Sequence, residues 1–368
     1  MTTLQLDIPL DVCFAVIDTV ATDDSESLAT LRACALTCRA WLARARIHLY
    51  RHVTLENSEE LEQFLRTVAH TGELGALVRT LRLVAFIGNK SQCKSSSQIS
   101  GPLLPNLQVL MVESHMWLGC KLRDLTSLIS EFSVATKSLK QLRIWGFLVG
   151  NLADFVRVFE HFPSISTLCI TGCFWLNVDI LPCIKGPDHG FGRDLSKLVL
   201  DGNLVEEPIL RITPSWLKSL ELGLPVDCRD PVNQENCFEE LARFTELEHL
   251  KMKTYALDAD SPCQWIIEVL NSVRCTTLRT LDLDYWGDLG PLKATIGYSQ
   301  MSMLDHVLSR APFANVRRLC FRISTNSDNA AEVIAMEEHS KNHILASFRG
   351  CQKRAVEIGI VVDVRYTG

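Results

Sequence analysis

Leu247-Glu248-His249-Leu250-Lys251-Met252 decides how the rest of the chain is read. The same aliphatic-x-x-aliphatic-x-aliphatic spacing returns at Leu278 to Leu283 on one side and at Leu217 to Leu222 on the other. Working outward, copies begin at Val78, Leu107, Leu139, Ile165, Leu195, Leu217, Leu247, Leu278 and Val316, nine in all, at steps of 22 to 38 residues. The last three positions alternate with period two, which predicts a short strand in each copy. Self-similarity at a period of 20–50 residues predicts a repeat array, in which no unit can bury its apolar face alone.

The stretches between copies predict the return segments. Apolar residues recur at helical spacing at Leu61, Phe64, Leu65 and Val68, at Leu125, Leu128, Ile129 and Phe132, and at Phe155, Val156 and Phe159. Further candidates are Phe238 to Phe244, Trp265 to Val273 and Met303 to Ala311. The pattern resembles leucine-rich repeats, and since most steps exceed that class's 20–29 residues, true α-helices are expected on the outer side. The asparagine usual after the strand is replaced: Asn203 and Cys173 stand there once each, and Phe147, Pro225, Tyr255 and Trp286 elsewhere. Gly88 to Pro105, Gly186 to Asp194, Pro225 to Asn236 and Gly287 to Gln300 read as loops. Ala330 to Arg354 reads as helical, and Val356 to Tyr366 as a closing strand whose Asp363 and Arg365 discourage further pairing.

Residues 1–52 are organised differently. Pro9 precedes a first turn containing Asp11, and Val12, Val16, Ile17 and Val20 make one stripe of a helix. Thr22 to Ser25 offers turn and capping residues before a second helix with Leu28, Leu31, Ala35 and Cys38. Arg39 to Leu49 reads as a third, with Trp41, Ala45, His48 and Leu49 at helical spacing. Val53-Thr54-Leu55 follows as the first strand, with no Gly/Ser linker between.

Ile8-Pro9 with Asp11-Val12, then Ile17, Leu31, Leu36-Thr37-Cys38-Arg39-Ala40-Trp41 and Leu49-Tyr50-Arg51, is similar to the F-box motif. The tail from Leu49 to Leu55 resembles the F-box-like proteins abundant in mushroom-forming fungi. Ile8 stands where the usual residue is leucine, and the polar stretch Thr22 to Thr30 is longer than usual. The resemblance implies a head that binds a Skp-family adaptor, and through it a cullin-RING ubiquitin ligase. It assigns Ile8, Pro9, Leu10, Val12, Ile17, Leu31, Leu36, Cys38 and Trp41 to docking or its support. A private three-helix core is the competing assignment for the same residues, Trp41 in particular.

Composition sets outer limits. A 368-residue chain exceeds the usual reach of one hydrophobic core, so a head (1–52) plus a repeat body (53–368) is expected. A hydrophobic share of 47% with 22% charged residues is that of a folded chain. The net charge of −6 argues against nucleic acid or an anionic membrane as partner. The 14 cysteines are scattered and mostly embedded in apolar runs, and Asp7 and Asp11 interrupt any apolar leader. A reduced cytoplasmic or nuclear setting is therefore expected.

Strand pleating places the third and fifth positions of each copy on the face opposite the aliphatic residues. That face predicts basic character at Arg82 and Arg143, a positive spot at Lys251 and Lys253, an acidic one at Asp282 and Asp284, and another basic one at Arg318 and Arg322. Trp145, Phe147, Phe174, Trp175, Tyr255, Tyr285 and Trp286 lie just past the strands. Arginine and aromatic residues are the types that dominate interfaces, so Arg82, Arg143, Trp145, Lys251, Lys253, Tyr255, Asp282, Asp284 and Trp286 are candidates for binding a target protein. Filling of gaps in the repeats competes for the aromatics. Phosphate-loop, HExxH, GxSxG and CxxC patterns are absent from the sequence. His339 and His343 share a helical face but have no third ligand nearby, and the pairs Cys34/Cys38 and Cys169/Cys173 sit among aliphatics as buried packing. The chain is expected to be α/β, a three-helix head followed by an irregular βα solenoid with a parallel sheet on its concave face. It is expected to be no enzyme, with no cofactor or metal, and to act as the substrate receptor of an SCF-type ligase. A repeat scaffold that binds protein without any ubiquitin role is the alternative.

Overall fold

The computed structural model describes residues 9–21, 27–84, 104–114, 138–149, 156–157, 159–175, 193–201, 206–223, 238–256, 262–287, 298–326, 338, 341–342 and 344–365. The architecture is α/β, with parallel strands alternating with helices. The chain divides into two compact units, residues 1–120 with 127–142, and residues 121–126 with 143–368.

The first unit opens with three helices, α1 (Leu10–Val20), α2 (Ser27–Thr37) and α3 (Arg39–Arg51). α1 starts after Pro9, whose carbonyl accepts from the N–H groups of Val12 and Cys13 at 3.1 and 3.2 Å. The ring's missing N–H costs nothing at this position. α3 runs directly into β1 (His52–Leu55). α4 (Ser58–His70) then buries Leu61, Phe64, Leu65 and Val68, the stripe legible in the sequence. Asn57 caps it: its Oδ1 accepts from Glu60 N–H at 2.9 Å, while the Glu60 carboxylate accepts from Asn57 Nδ2 at 3.0 Å and from the N–H of Glu56, the residue before the cap, at 2.8 Å. A short α5 (Gly72–Leu77) precedes β2 (Thr80–Val84) and β3 (Val109–Glu113). β1 pairs with β2 and β2 with β3, both in parallel. The first residues of β4 (Gln141–Trp145) join this unit, where the Lys140 and Gln141 N–H groups both donate to Gln108 O at 2.9 Å.

The second unit holds β5 (Leu148–Val149), β6 (Thr167–Thr171), β7 (Phe174–Trp175), β8 (Lys197–Asp201), β9 (Ser219–Gly223), β10 (His249–Ala256), β11 (Thr280–Gly287), β12 (Arg318–Asn326) and β13 (Glu357–Arg365). β6, β8, β9, β10, β11, β12 and β13 pair in that order, all parallel. The register aligns Leu168, Leu198, Leu220, Leu250, Leu281, Leu319 and Ile358 in one row. β5 and β7 form a separate small sheet that the repeat spacing does not announce.

All nine copies are strands, and each strand begins at the third position of its copy. The three aliphatic positions are at most 5% exposed throughout. Each such burial contributes about 1.5–3 kcal/mol. The returns are less uniform than the spacing predicts. α6 (Glu206–Ile212), α7 (Pro262–Ser272), α8 (Tyr298–Leu308) and α9 (Arg349–Lys353) are α-helical, but the stretch from Phe238 to Phe244 is a 3-10 turn over Glu239–Arg243. Phe238, Leu241 and Phe244 are buried there, and Phe238 meets Trp265 of α7 edge-on at 5.6 Å. The predicted helix from Leu125 to Phe132, the predicted loop from Pro225 to Asn236, the other three predicted loops except at their ends, and residues 330–337, 339–340 and 343 of the predicted helical stretch from Ala330 to Arg354 lie outside the described residues; the described part of that stretch is mostly helical.

A polar ladder does form, ahead of the strands rather than after them. Asn106 Nδ2 donates to Ala76 O at 2.7 Å, and Ser138 Oγ to Leu107 O at 2.9 Å. In the second unit Thr277 Oγ1 donates to Leu247 O at 2.8 Å and Asn315 Nδ2 to Thr276 O at 2.7 Å. Each of these residues immediately precedes a copy and satisfies a carbonyl about one repeat earlier. Among the described residues no helix is long and apolar enough to cross a membrane.

Candidate functional site

Two surfaces hold several of the side chains singled out by sequence, one in each unit. In the head, the core common to the three helices is Ile17, Leu31, Cys34 and Ala45, against which Val20, Ala35, Trp41 and Leu49 pack half-buried. Of the docking set, Ile17 and Leu31 therefore stabilise the head itself, and Trp41 leans on the same core. Pro9, Leu10, Val12, Leu36 and Cys38 are exposed, whereas Ile8 lies outside the described residues. The exposure is unusual for such side chains: Leu36 is 88% exposed, Leu10 55% and Val12 48%. Val16 and Leu28 are open to the same degree. A shallow groove along α1 is lined by Val12, Ala15, Val16, Thr19 and Val20.

Polar contacts fix the orientation of α1 against α3. Asp18 accepts from Arg44 Nε at 2.7 Å and from Arg44 Nη2, and lies 2.7 Å from His48 Nε2. The Arg44 guanidinium, with His48 beside it, holds the Asp18 carboxyl well below its usual range, at about 2. The same guanidinium lies 5.7 Å from the Phe14 ring centre. Cys38 forms the extended N-cap of α3 and is exposed, so the expected burial of the Cys34/Cys38 pair holds for Cys34 alone.

On the sheet of the second unit, the face opposite the leucines is a continuous ionic chain rather than separate patches of one sign. Lys253 Nζ sits 3.1 Å from Asp201 Oδ2 and 2.7 Å from Glu221 Oε1. Lys251 Nζ lies 2.8 Å from Asp284 Oδ2 and 3.9 Å from the same Glu221 oxygen. Arg322 Nη1 closes the series 3.6 Å from Asp284 Oδ2. The candidates Lys251, Lys253 and Asp284 are thus brought together and neutralise one another. The expected positive and acidic spots do not stand apart, because the parallel register sets Lys251 and Lys253 directly beside Asp282 and Asp284. Burial works against the Lys253 ammonium, but the Glu221 bond and the Asp201 charge outweigh it and raise its pKa. Asp282 moves upward, chiefly because burial penalises its charge, with Arg318 acting in opposition.

Gly223 makes this chain of charges continuous. Asp201 and Lys253 lie on β8 and β10, with Gly223 of β9 in register between them. A Cβ on Gly223 would come 2.1 Å from Asp201 Oδ1, so the carboxylate occupies the space a side chain would take and reaches the lysine two strands away. Asp201, Glu221 and Arg322 were not among the sequence candidates for binding. The signal was available: pleating puts the seventh position of each copy on the same face as the fifth, and Asp201, Lys253, Asp284 and Arg322 all hold it.

The remaining candidates are dispersed. Arg82 belongs to the first unit, where its guanidinium makes two parallel bonds to Glu113, Nε–Oε1 2.8 Å and Nη2–Oε2 2.7 Å. Arg143 is exposed on β4, as is Trp145 at 40%, whose indole lies over Gly172. Tyr255 and Trp286 are register partners on β10 and β11. Phe147 and Tyr285 are fully buried, so of the aromatics past the strands these two fill the interior and Trp145 faces out. Burial pushes the Cys173 thiol up to about 12 and Cys351 up to about 11. His339 and His343 lie outside the described residues, among which no group of three or more potential ligands is placed to hold a metal ion.

No family model matches the chain, and no curated protein does. A solved crystal structure of a Bacteroides fragilis protein resembles it at a TM-score of 0.46 and 17% identity, over 73% of this chain and 69% of that one.

Proposed function

We propose that this chain is the substrate receptor of an SCF-type ubiquitin ligase, with an F-box-like head that docks a Skp-family adaptor and a leucine-rich-repeat solenoid that binds a target protein. On this reading it makes and breaks no bonds; holding the target near the charged ubiquitin carrier raises its effective concentration. One observation carries the reading. The head closes its own core with Ile17, Leu31, Cys34 and Ala45, and yet leaves Leu10, Val12, Val16, Leu28 and Leu36 in water. A partner groove covering such residues gains about 1.5–3 kcal/mol for each that is fully buried, less the cost of ordering. The motif resemblance of Ile8-Pro9 through Trp41 points to the adaptor as that partner.

The test is capture of a purified Skp-family adaptor by the full chain, compared with Val12→Glu plus Leu36→Glu. Both substitutions are at exposed positions and spare the core. Loss of capture with unchanged thermal stability is expected. Undiminished capture by the double variant removes the docking assignment, and failure of the parent chain to bind any such adaptor favours the plain scaffold.

A further inference from the structure

We propose that β13 pairs with β13 of a second copy of this chain, antiparallel about Val361, so that the sheet of the second unit continues across a two-fold axis. β13 is the last strand in the pairing order, and among the described residues no strand lies on its outer edge. Its inner edge is settled: the Glu357 N–H donates to Arg317 O at 2.8 Å. Alternation then turns the backbone groups of Gly359, Val361 and Asp363 toward β12, and those of Ile358, Ile360, Val362 and Val364 outward. Nine residues without proline present an unblocked template for another strand.

The apolar layer is unfinished at this edge. Ile358 and Ile360 are in register with Leu319 and Phe321, which are fully buried, but are themselves only half-buried. On the opposite face, in register with Arg322, Val361 is 45% exposed. The occupant follows from the strand's own order of residues, Glu357-Ile-Gly-Ile-Val-Val-Asp-Val-Arg365. Antiparallel pairing centred on Val361 opposes Ile358 to Val364, Ile360 to Val362 and acidic Glu357 to basic Arg365. Centring on Ile360 instead opposes Glu357 to Asp363, two acids, and centring on Val362 opposes Asp363 to Val361. The charges expected from sequence to discourage any neighbour therefore select one register and one partner. Val361 on the axis is a non-hydrogen-bonded pair, as its inward-turned backbone requires.

Light scattering of the full chain across a concentration series should report a mass approaching twice 41.3 kDa. Glu357→Arg sets like charges at both symmetric ends and should weaken the dimer about tenfold. Adding Arg365→Glu should restore the parent affinity. Val362→Pro, which removes one outward donor and leaves the β12 ladder intact, should give the single-chain mass with an unchanged circular dichroism spectrum. The proposal is overturned by a single-chain mass at every concentration, or by a charge-swapped double variant that associates no more tightly than Glu357→Arg. If Val362→Pro does not fold, the charge-swap series decides alone.

Discussion

Gly223→Ala strikes the ionic chain where space is tightest. The new methyl would stand 2.1 Å from Asp201 Oδ1, 2.7 Å from its Cγ and 2.9 Å from its Cα. The first two clashes are relieved by swinging the carboxylate away, but the last is with the main chain and demands a shift between β8 and β9. Overpacking of this kind costs about 1–3 kcal/mol. Moving the carboxylate also breaks the 3.1 Å contact to Lys253, a partly buried pair worth about 1 kcal/mol. The expected loss is about 2–4 kcal/mol, read as a lower urea midpoint at unchanged slope. In an Asp201→Ala background the same substitution should cost about 1–2 kcal/mol less, because only the clash with the main chain of β8 remains. A midpoint equal to the parent's, or an equal penalty in both backgrounds, would refute the assignment of Gly223 as the gap through which Asp201 reaches Lys253.

Two further tests concern the first unit. Asp18 is held at about 2 when folded, against an ordinary value of about 3.9, so its contribution is complete above the ordinary value and is lost as pH falls through the folded one. Asp18→Asn should lower the thermal midpoint at neutral pH, and the gap to the parent should shrink as the pH approaches 2; a gap independent of pH would show that the carboxylate charge is not what matters. Asn57→Ala removes the cap of α4 and should cost about 1 kcal/mol, with faster amide exchange confined to the first turn at Glu59 and Glu60.

What could be read in the sequence follows from how locally each feature is determined. The nine strands were legible because Leu-x-x-Leu-x-Leu states its own period, and every copy begins its strand at the third position. α4 was legible because Leu61, Phe64, Leu65 and Val68 fall on one face. The 3-10 turn at Glu239–Arg243 was not, since Phe238, Leu241 and Phe244 suit an α-helix equally well. Nor was the pairing of Asp201 with Lys253, residues 52 apart that meet only because the strand between them carries a glycine. The exposure of Leu36 and Cys38 also escaped, because helical spacing says which residues share a face and not whether anything covers it.

The hydrogen bonds that precede the strands bear on how the protein tolerates change. Asn106, Ser138, Thr277 and Asn315 clip the entry to a strand onto carbonyls about one repeat earlier. Alignment between neighbours is thus decided before the strand starts, independent of how much chain was spent arriving there. A return segment can lengthen, shorten or exchange an α-helix for a single turn without displacing a leucine from its row. Insertions should accordingly be harmless between the end of one strand and the residue before the next clip. The same length of chain added between clip and strand, as after Thr277 or Asn315, should throw that copy out of register.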